Sequence, residues 1–252
     1  MTLAIVVRVG DYCIAGADRL WESHIDGQYA CGLHAKLFLA NSRPLAIVNT
    51  GIGGIGKYVT GDVIEDRLRR IDRQLADSFA SDLAAEFLAV TKEARRIPNA
   101  TVSTIRFFAL TYEDGAAQVL ECAVTDHVEI TKVPGGITPG SDLVGGFLRS
   151  KESQLRGDGS TSAVGHAETI ASLMGEAIEL ERSAVGTNQT IGGGIDVAII
   201  DRTNARLAVT ESLTDGLDPA GLARGRDFEA WRKRKDVLVM PANVEDEPHG
   251  PA

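Results

Sequence analysis

The spacing of apolar residues along the chain changes several times, and each change marks an expected element. From Leu3 to Val9 and from Tyr12 to Ala17 hydrophobic and β-branched residues dominate around Gly10-Asp11, which predicts two strands joined by a hairpin turn. The polar stretch from Trp21 to His34 has no clear period and reads as a loop. Two further strands are expected at Lys36 to Ala40 and Leu45 to Thr50, with Asn41-Ser42-Arg43-Pro44 turning between them. The chain is therefore expected to open as a four-strand antiparallel meander. Beyond a glycine-rich loop the period becomes helical, with Val63, Ile64, Leu68, Ile71 and Leu75 on one face. A second helix is expected from Asp82 to Arg96, stopped by Pro98-Asn99. Thr101 to Tyr112, Ala116 to Ala123 and Val128 to Val133 predict strands, with Glu113-Asp114-Gly115 as a hairpin turn.

The second half continues in the same way. Pro134 to Ser141 ("PGGITPGS") reads as a Gly/Pro-rich connection into a short helix near Leu143 to Ser150. "RGDGSTS", Arg156 to Ser162, reads as an exposed loop, and His166 to Val185 as an amphipathic helix. A buried strand is expected at Ile195 to Ile200 and a neighbour at Leu207 to Thr210, followed by a basic helix over Phe228 to Lys235. The order is strands, two helices, strands, two helices, strands, without internal repeat. This predicts one domain over residues 1–240 and a disordered, acidic and Pro/Gly-containing tail over 241–252.

Composition narrows the class of function. A net charge of -9 argues against a general nucleic-acid or anionic-membrane partner, because both need a basic field. No apolar run approaches the ~20 residues that span a bilayer. Three widely spaced cysteines (Cys13, Cys31 and Cys122) form neither a disulfide framework nor a zinc motif, and a reducing cytoplasm is the expected setting. No cofactor is expected.

"VNTGIGGIGKY", Val48 to Tyr58, offers the most suggestive chemistry. It contains G-x-G-x-x-G (Gly51, Gly53, Gly56) and also G-x-x-x-x-G-K ending at Lys57. A dinucleotide fold needs a βαβ unit and an acid at the end of the next strand, yet the acid at that distance, Asp72, falls inside a helix. A P-loop needs a Ser or Thr hydroxyl where Tyr58 stands, although "VAIID" (Val197 to Asp201) imitates its metal-holding strand. The plain alternative is a tight strand-to-helix turn without chemistry.

The element order, with "TLAIVVRVGDYCIAGADR" (Thr2 to Arg19), "HAKLFLA" (His34 to Ala40) and "LAIVNTGIGG" (Leu45 to Gly54), resembles the N-terminal-nucleophile hydrolases, in particular proteasome β-type subunits and their bacterial relatives. That resemblance implies an α+β fold, a four-layer α-β-β-α sandwich of two antiparallel sheets. It implies peptide or unfolded-protein substrates, a homo-oligomeric ring or spiral, and, in some relatives, an ATP-dependent unfoldase partner. The residues can carry such chemistry. Loss of Met1 would leave Thr2 with an α-amine of pKa roughly 8, able to act as base for its own hydroxyl. Lys36 lies in an otherwise apolar strand, and Asp18 is the natural partner of a buried ammonium. Alone, Thr2 is unremarkable in a cytosolic chain and Lys36 reads as a solvated edge lysine; together, in this order, they match the family's nucleophile, lysine and orienting aspartate. By the same resemblance the Gly51 N–H sits at the oxyanion position.

Other positions depart from the pattern. Asp18 and Arg19 are adjacent where the family usually has Asp-x-Arg. Ser141 in "TPGSD" is the nearest match to a supporting serine, with Pro139 as the alternative alignment. Asn188 stands where a supporting aspartate is usual. An assembly subunit without catalysis, built on the same fold, is the opposing reading.

Overall fold

The computed structural model describes residues 2–25, 28–51, 54–55, 58–71, 76–94, 104–157, 161–186 and 189–234. The chain folds as a mixed α/β structure with antiparallel sheets. Its strands are β1 (Leu3–Val9), β2 (Tyr12–Asp18), β3 (Leu20–Ile25), β4 (Gln28–Leu33), β5 (Leu37–Leu39), β6 (Leu45–Asn49), β7 (Gly54–Ile55), β8 (Tyr58–Val59), β9 (Ile105–Glu113), β10 (Ala116–Val124), β11 (Val128–Lys132), β12 (Gly135–Pro139), β13 (Ile195–Ile200) and β14 (Ala205–Glu211). The helices are α1 (Thr60–Arg70), α2 (Ala76–Ala94), α3 (Asp142–Ser150), α4 (Glu152–Arg156), α5 (Ala163–Val185) and α6 (Pro219–Arg234). One five-stranded sheet runs β12-β1-β2-β13-β14 and another β11-β10-β9-β6-β5, with β3-β4 and β7-β8 as separate hairpins.

Alternation within β1 shows how the sheets are buried. Leu3, Ile5 and Val7 join one hydrophobic cluster with Val144 and Leu148 of α3 and Ile170, Met174 and Ile178 of α5. Ala4 and Val6, on the opposite face, join a second cluster with Ala15 and Ala17 of β2 and with Val48, Phe108 and Val119 of the other sheet. Both faces being covered, the strand reads as a continuous apolar run. The far side of the second sheet is covered likewise: Ile47, Ile105 and Phe107 share a third cluster with Ile64 and Leu68 of α1 and Phe79, Leu83 and Phe87 of α2.

Several expectations need correction. The opening four strands are not one meander: β1 and β2 lie in one sheet, β5 and β6 in the other, and β2 takes β13 as its second neighbour. The stretch read as a loop after Trp21 is the β3–β4 hairpin. Its support comes from α6, so no apolar alternation of its own announces it; a Cβ on Gly225 would overlap the Cys31 carbonyl, so helix and strand approach backbone to backbone. The Gly/Pro-rich connection contains β12, an edge strand paired to β1 from Leu3↔Pro139 to Val7↔Gly135. Glycines there allow close approach, because a Cβ at Gly136 would press on the Phe108 ring. Helix α4 was not expected, and α6 begins well before Phe228. The Pro98-Asn99 stop, Lys57, Asn188 and the 241–252 tail lie outside the described residues.

Candidate active site

Asp18 ends β2 and is wholly buried. Its Oδ1 accepts the Lys36 Nζ at 2.7 Å and the backbone N–H of Leu3 at 2.9 Å. Its Oδ2 accepts the N–H groups of Gly192 at 3.0 Å and Leu20 at 3.3 Å. Burial pushes the Asp18 carboxyl up from the ordinary carboxylate range, while the Lys36 ammonium and the N–H groups of Gly192 and Leu3 pull it back down. Every one of these partners is a donor, so the ionised carboxylate is the form that fits the site.

Three different stretches of chain meet at this carboxylate. Thr2 is one peptide bond from the Leu3 amide that Asp18 holds, and is 5% exposed. Lys36 directly precedes β5 and is 7% exposed. The Gly192–Gly194 run leads into β13, whose first residue pairs with Asp18. Gly192 has φ +139 and Gly193 φ +71, so both need glycine. The Gly192 carbonyl also accepts from Arg19 and Leu20, fixing the chain as it leaves β2. The Lys36 ammonium and the amide that follows Thr2 thus meet at one buried carboxylate, that of Asp18.

Gly51 lies two residues beyond the end of β6. A Cβ there would meet the Arg106 backbone nitrogen at 2.6 Å, which gives a packing reason for glycine. Its N–H donates to Asn49 Oδ1 at 3.3 Å, a long bond. Asn49 is buried, and its own N–H donates to the Lys36 carbonyl at 2.8 Å. The residue therefore ties the lysine segment to the glycine turn, and its only sequence signal is a polar side chain ending an apolar run. Ser141 begins α3: its hydroxyl accepts from Val144 N–H as the N-cap. Register places it just beyond Pro139, which faces Leu3, and a Cβ on the intervening Gly140 would come 3.6 Å from the Thr2 carbonyl.

Sequence reasoning missed other members. Arg19 does not face the cluster; it forms a bidentate pair with Asp196, its Nε to Oδ2 at 2.7 Å, and Thr210 Oγ1 donates to the same carboxylate. Partners so far apart in sequence leave no local signal. A cavity of about 730 Å³ opens beside that pair, with Leu68, Phe38 and Leu207 in its apolar wall. Its lining includes Arg19, Ala35 and Leu37, the chain neighbours of Asp18 and Lys36, rather than those two side chains themselves. The space is therefore adjacent to the cluster. Among the described residues no group of three or more His, Cys, Asp or Glu could hold a metal ion, and no helix is long and apolar enough to cross a membrane. No protein-family model matches the chain, and no curated protein matches it as a relative.

Proposed function

We propose that the chain is an N-terminal threonine hydrolase of the proteasome β kind, cleaving peptide bonds through an acyl-enzyme on Thr2. The observation that carries this reading is one buried carboxylate, Asp18, holding both the Lys36 ammonium and the amide that follows Thr2. The two five-stranded antiparallel sheets with helices against them support reading the fold as a four-layer α-β-β-α sandwich. Among the described residues every strand pair is antiparallel, which speaks against a P-loop, since that needs parallel crossovers. Peptides or unfolded proteins are the substrates, and the working form is a homo-oligomer in the cytoplasm.

In this mechanism, removal of Met1 frees the Thr2 amine. The amine takes the hydroxyl proton as Oγ attacks the scissile carbonyl carbon. Lys36 stabilises the developing negative charge on Oγ, and Asp18 keeps Lys36 charged and aimed. The Gly51 N–H, released from its long bond to Asn49, would donate to the carbonyl oxygen as it becomes an alkoxide. The C–N bond breaks and the departing amine takes the proton held by the Thr2 amine. A water, deprotonated by the same amine, then hydrolyses the ester and restores the threonine hydroxyl.

A second reading, a catalytically silent assembly subunit, is favoured by two engagements. The Ser141 hydroxyl caps α3 and the Gly51 N–H already has an acceptor. Intact-mass and N-terminal measurements, with an epoxyketone or β-lactone probe and a fluorogenic peptide, decide between them. The expected result is loss of Met1, one adduct per chain, and a fall of roughly 10³-fold or more in turnover for Thr2→Ala. Adduct formation that persists in Thr2→Ala overturns Thr2 as nucleophile. Met1 retained on every molecule overturns the enzyme reading in favour of the silent subunit.

A further inference from the structure

Glu181 of α5 is 2% exposed, and no cation pairs with it among the described residues. A buried carboxylate of this kind is tolerated only where hydrogen bonds replace its water. Among the described residues its donors all come from one short segment: Thr190 Oγ1 reaches Oε1 at 2.6 Å, and the N–H groups of Thr190 and Ile191 reach Oε2 at 3.3 and 3.0 Å. The next N–H in the chain, that of Gly192, donates to Asp18 at 3.0 Å. Three successive amides are therefore divided between two buried carboxylates, one on a helix and one at the candidate site. Gly192 has little freedom to take any other position. Its φ is +139, its carbonyl receives two amides from the chain after Asp18, and a Cβ on it would come 2.8 Å from Gln189 Nε2.

We propose that Glu181 is a positioning residue. By clamping Thr190 and Ile191 it aims the Gly192 N–H at Asp18, and through Asp18 it sets the orientation of Lys36. This rests on the threonine-hydrolase reading, in which the Lys36 ammonium faces the reacting hydroxyl. Glu181 itself touches no reacting atom. The chemistry also predicts which substitution preserves the clamp. In Glu181→Gln the amide oxygen accepts the two backbone N–H groups, while the Thr190 hydroxyl turns to accept from the new NH₂ group. Glu181→Ala takes the acceptor from all three donors, of which the Ile191 N–H is buried and the two of Thr190 are partly buried.

The test measures inactivation by an epoxyketone probe across pH in the full chain, with amide hydrogen exchange of the 189–193 segment read in parallel. Glu181→Ala is expected to lower the maximal inactivation rate by about 10- to 100-fold, the scale of a small misplacement of a catalytic group, with the probe's half-saturating concentration within about twofold. The acid limb of the pH profile should move upward, because Asp18 loses a donor to its ionised form. Glu181→Gln is expected to restore both. Thr190→Val, which removes only the hydroxyl bond, keeps the test open if Glu181→Ala does not fold; it should give a smaller loss in the same direction. A folded Glu181→Ala or Thr190→Val with the wild-type maximal rate and pH profile overturns the inference. Wild-type protein that takes no probe overturns the threonine reading and the catalytic half of this inference with it. Exchange then judges the clamp alone: faster exchange in Glu181→Ala upholds it, and unchanged exchange removes it.

Discussion

Asp18 accepts four N–H groups and receives no acceptor in return, so substitutions there have opposite consequences on its two sides. Lys36→Met removes the only charged donor among the described residues and leaves a carboxylate buried among amides. Urea denaturation should show a loss of about 3–5 kcal/mol. Asp18→Asn in the Lys36→Met background removes the stranded charge while keeping an acceptor, and should recover part of that loss. A Lys36→Met loss below about 1 kcal/mol, the range of an exposed pair, would show that the ion pair is solvated. The cysteines make a second residue-scale prediction. Burial pushes the Cys13 and Cys122 thiols up to about 12, partly offset at Cys13 by Arg8 and reinforced at Cys122 by Glu121 and Asp77. Near neutral pH neither offers an appreciable thiolate. Reaction with a disulfide reagent at pH 8 should therefore be slow in the native chain and immediate in denaturant.

At the scale of elements, short polar networks decide how strands and helices end. The β13–β14 turn is organised by Asp201, whose Oδ1 accepts the N–H of Thr203 at 2.8 Å and of Asn204 at 3.3 Å, while Arg206 pairs with Oδ2 at 2.5 Å. Against partial burial that pushes it up, hydrogen bonds from Thr203, Arg206 and Asn204 hold this carboxyl well below the ordinary carboxylate range. The stability it adds is present above pH ~3.9 and is lost as pH falls toward the lower native value. Asp201→Asn should lose about 0.5–1 kcal/mol at pH 7, a modest figure because the site is open to solvent, and the gap to wild type should close in strong acid. Chemical denaturation at several pH values measures it. Helix α6 and the β3–β4 hairpin form another such unit: Arg224 Nε donates to the Tyr29 carbonyl at 2.6 Å, and Trp21 lies 6.5 Å from Phe228 between ring centroids. Gly225→Val should force the helix off β4, seen as altered tryptophan emission and new proteolytic cuts in α6, while the two large sheets keep their far-ultraviolet signature.

For the molecule as a whole, assembly is the remaining expectation, and native mass spectrometry should find a closed or spiral homo-oligomer; a monomer at micromolar concentration would contradict it. How much could be read in the chain differs by region. Strands with both faces covered announced themselves as apolar runs, so β1, β2, β6 and β13 were found close to their true bounds. Helices α1, α2 and α5 were legible from one apolar face. Lys36 stood out as a charge in an apolar strand, with Asp18 as its natural partner, whereas Thr2 and the grouping of the three came from the family resemblance. The hairpin after Leu20, the edge strand β12 and the assignment of β1–β2 and β5–β6 to different sheets were not legible, since their support comes from distant chain. The same holds for the pairing of Arg19 with Asp196 and the clamp of Glu181 on Thr190 and Ile191. Local pattern by itself determined the strands and helices that bury their own regular apolar faces, and which polar residues among them must be satisfied, because burial periodicity acts over neighbouring residues. Only the tertiary structure decided which strand neighbours which and which donor satisfies each buried carboxylate, because those choices depend on the joint packing of segments far apart in sequence.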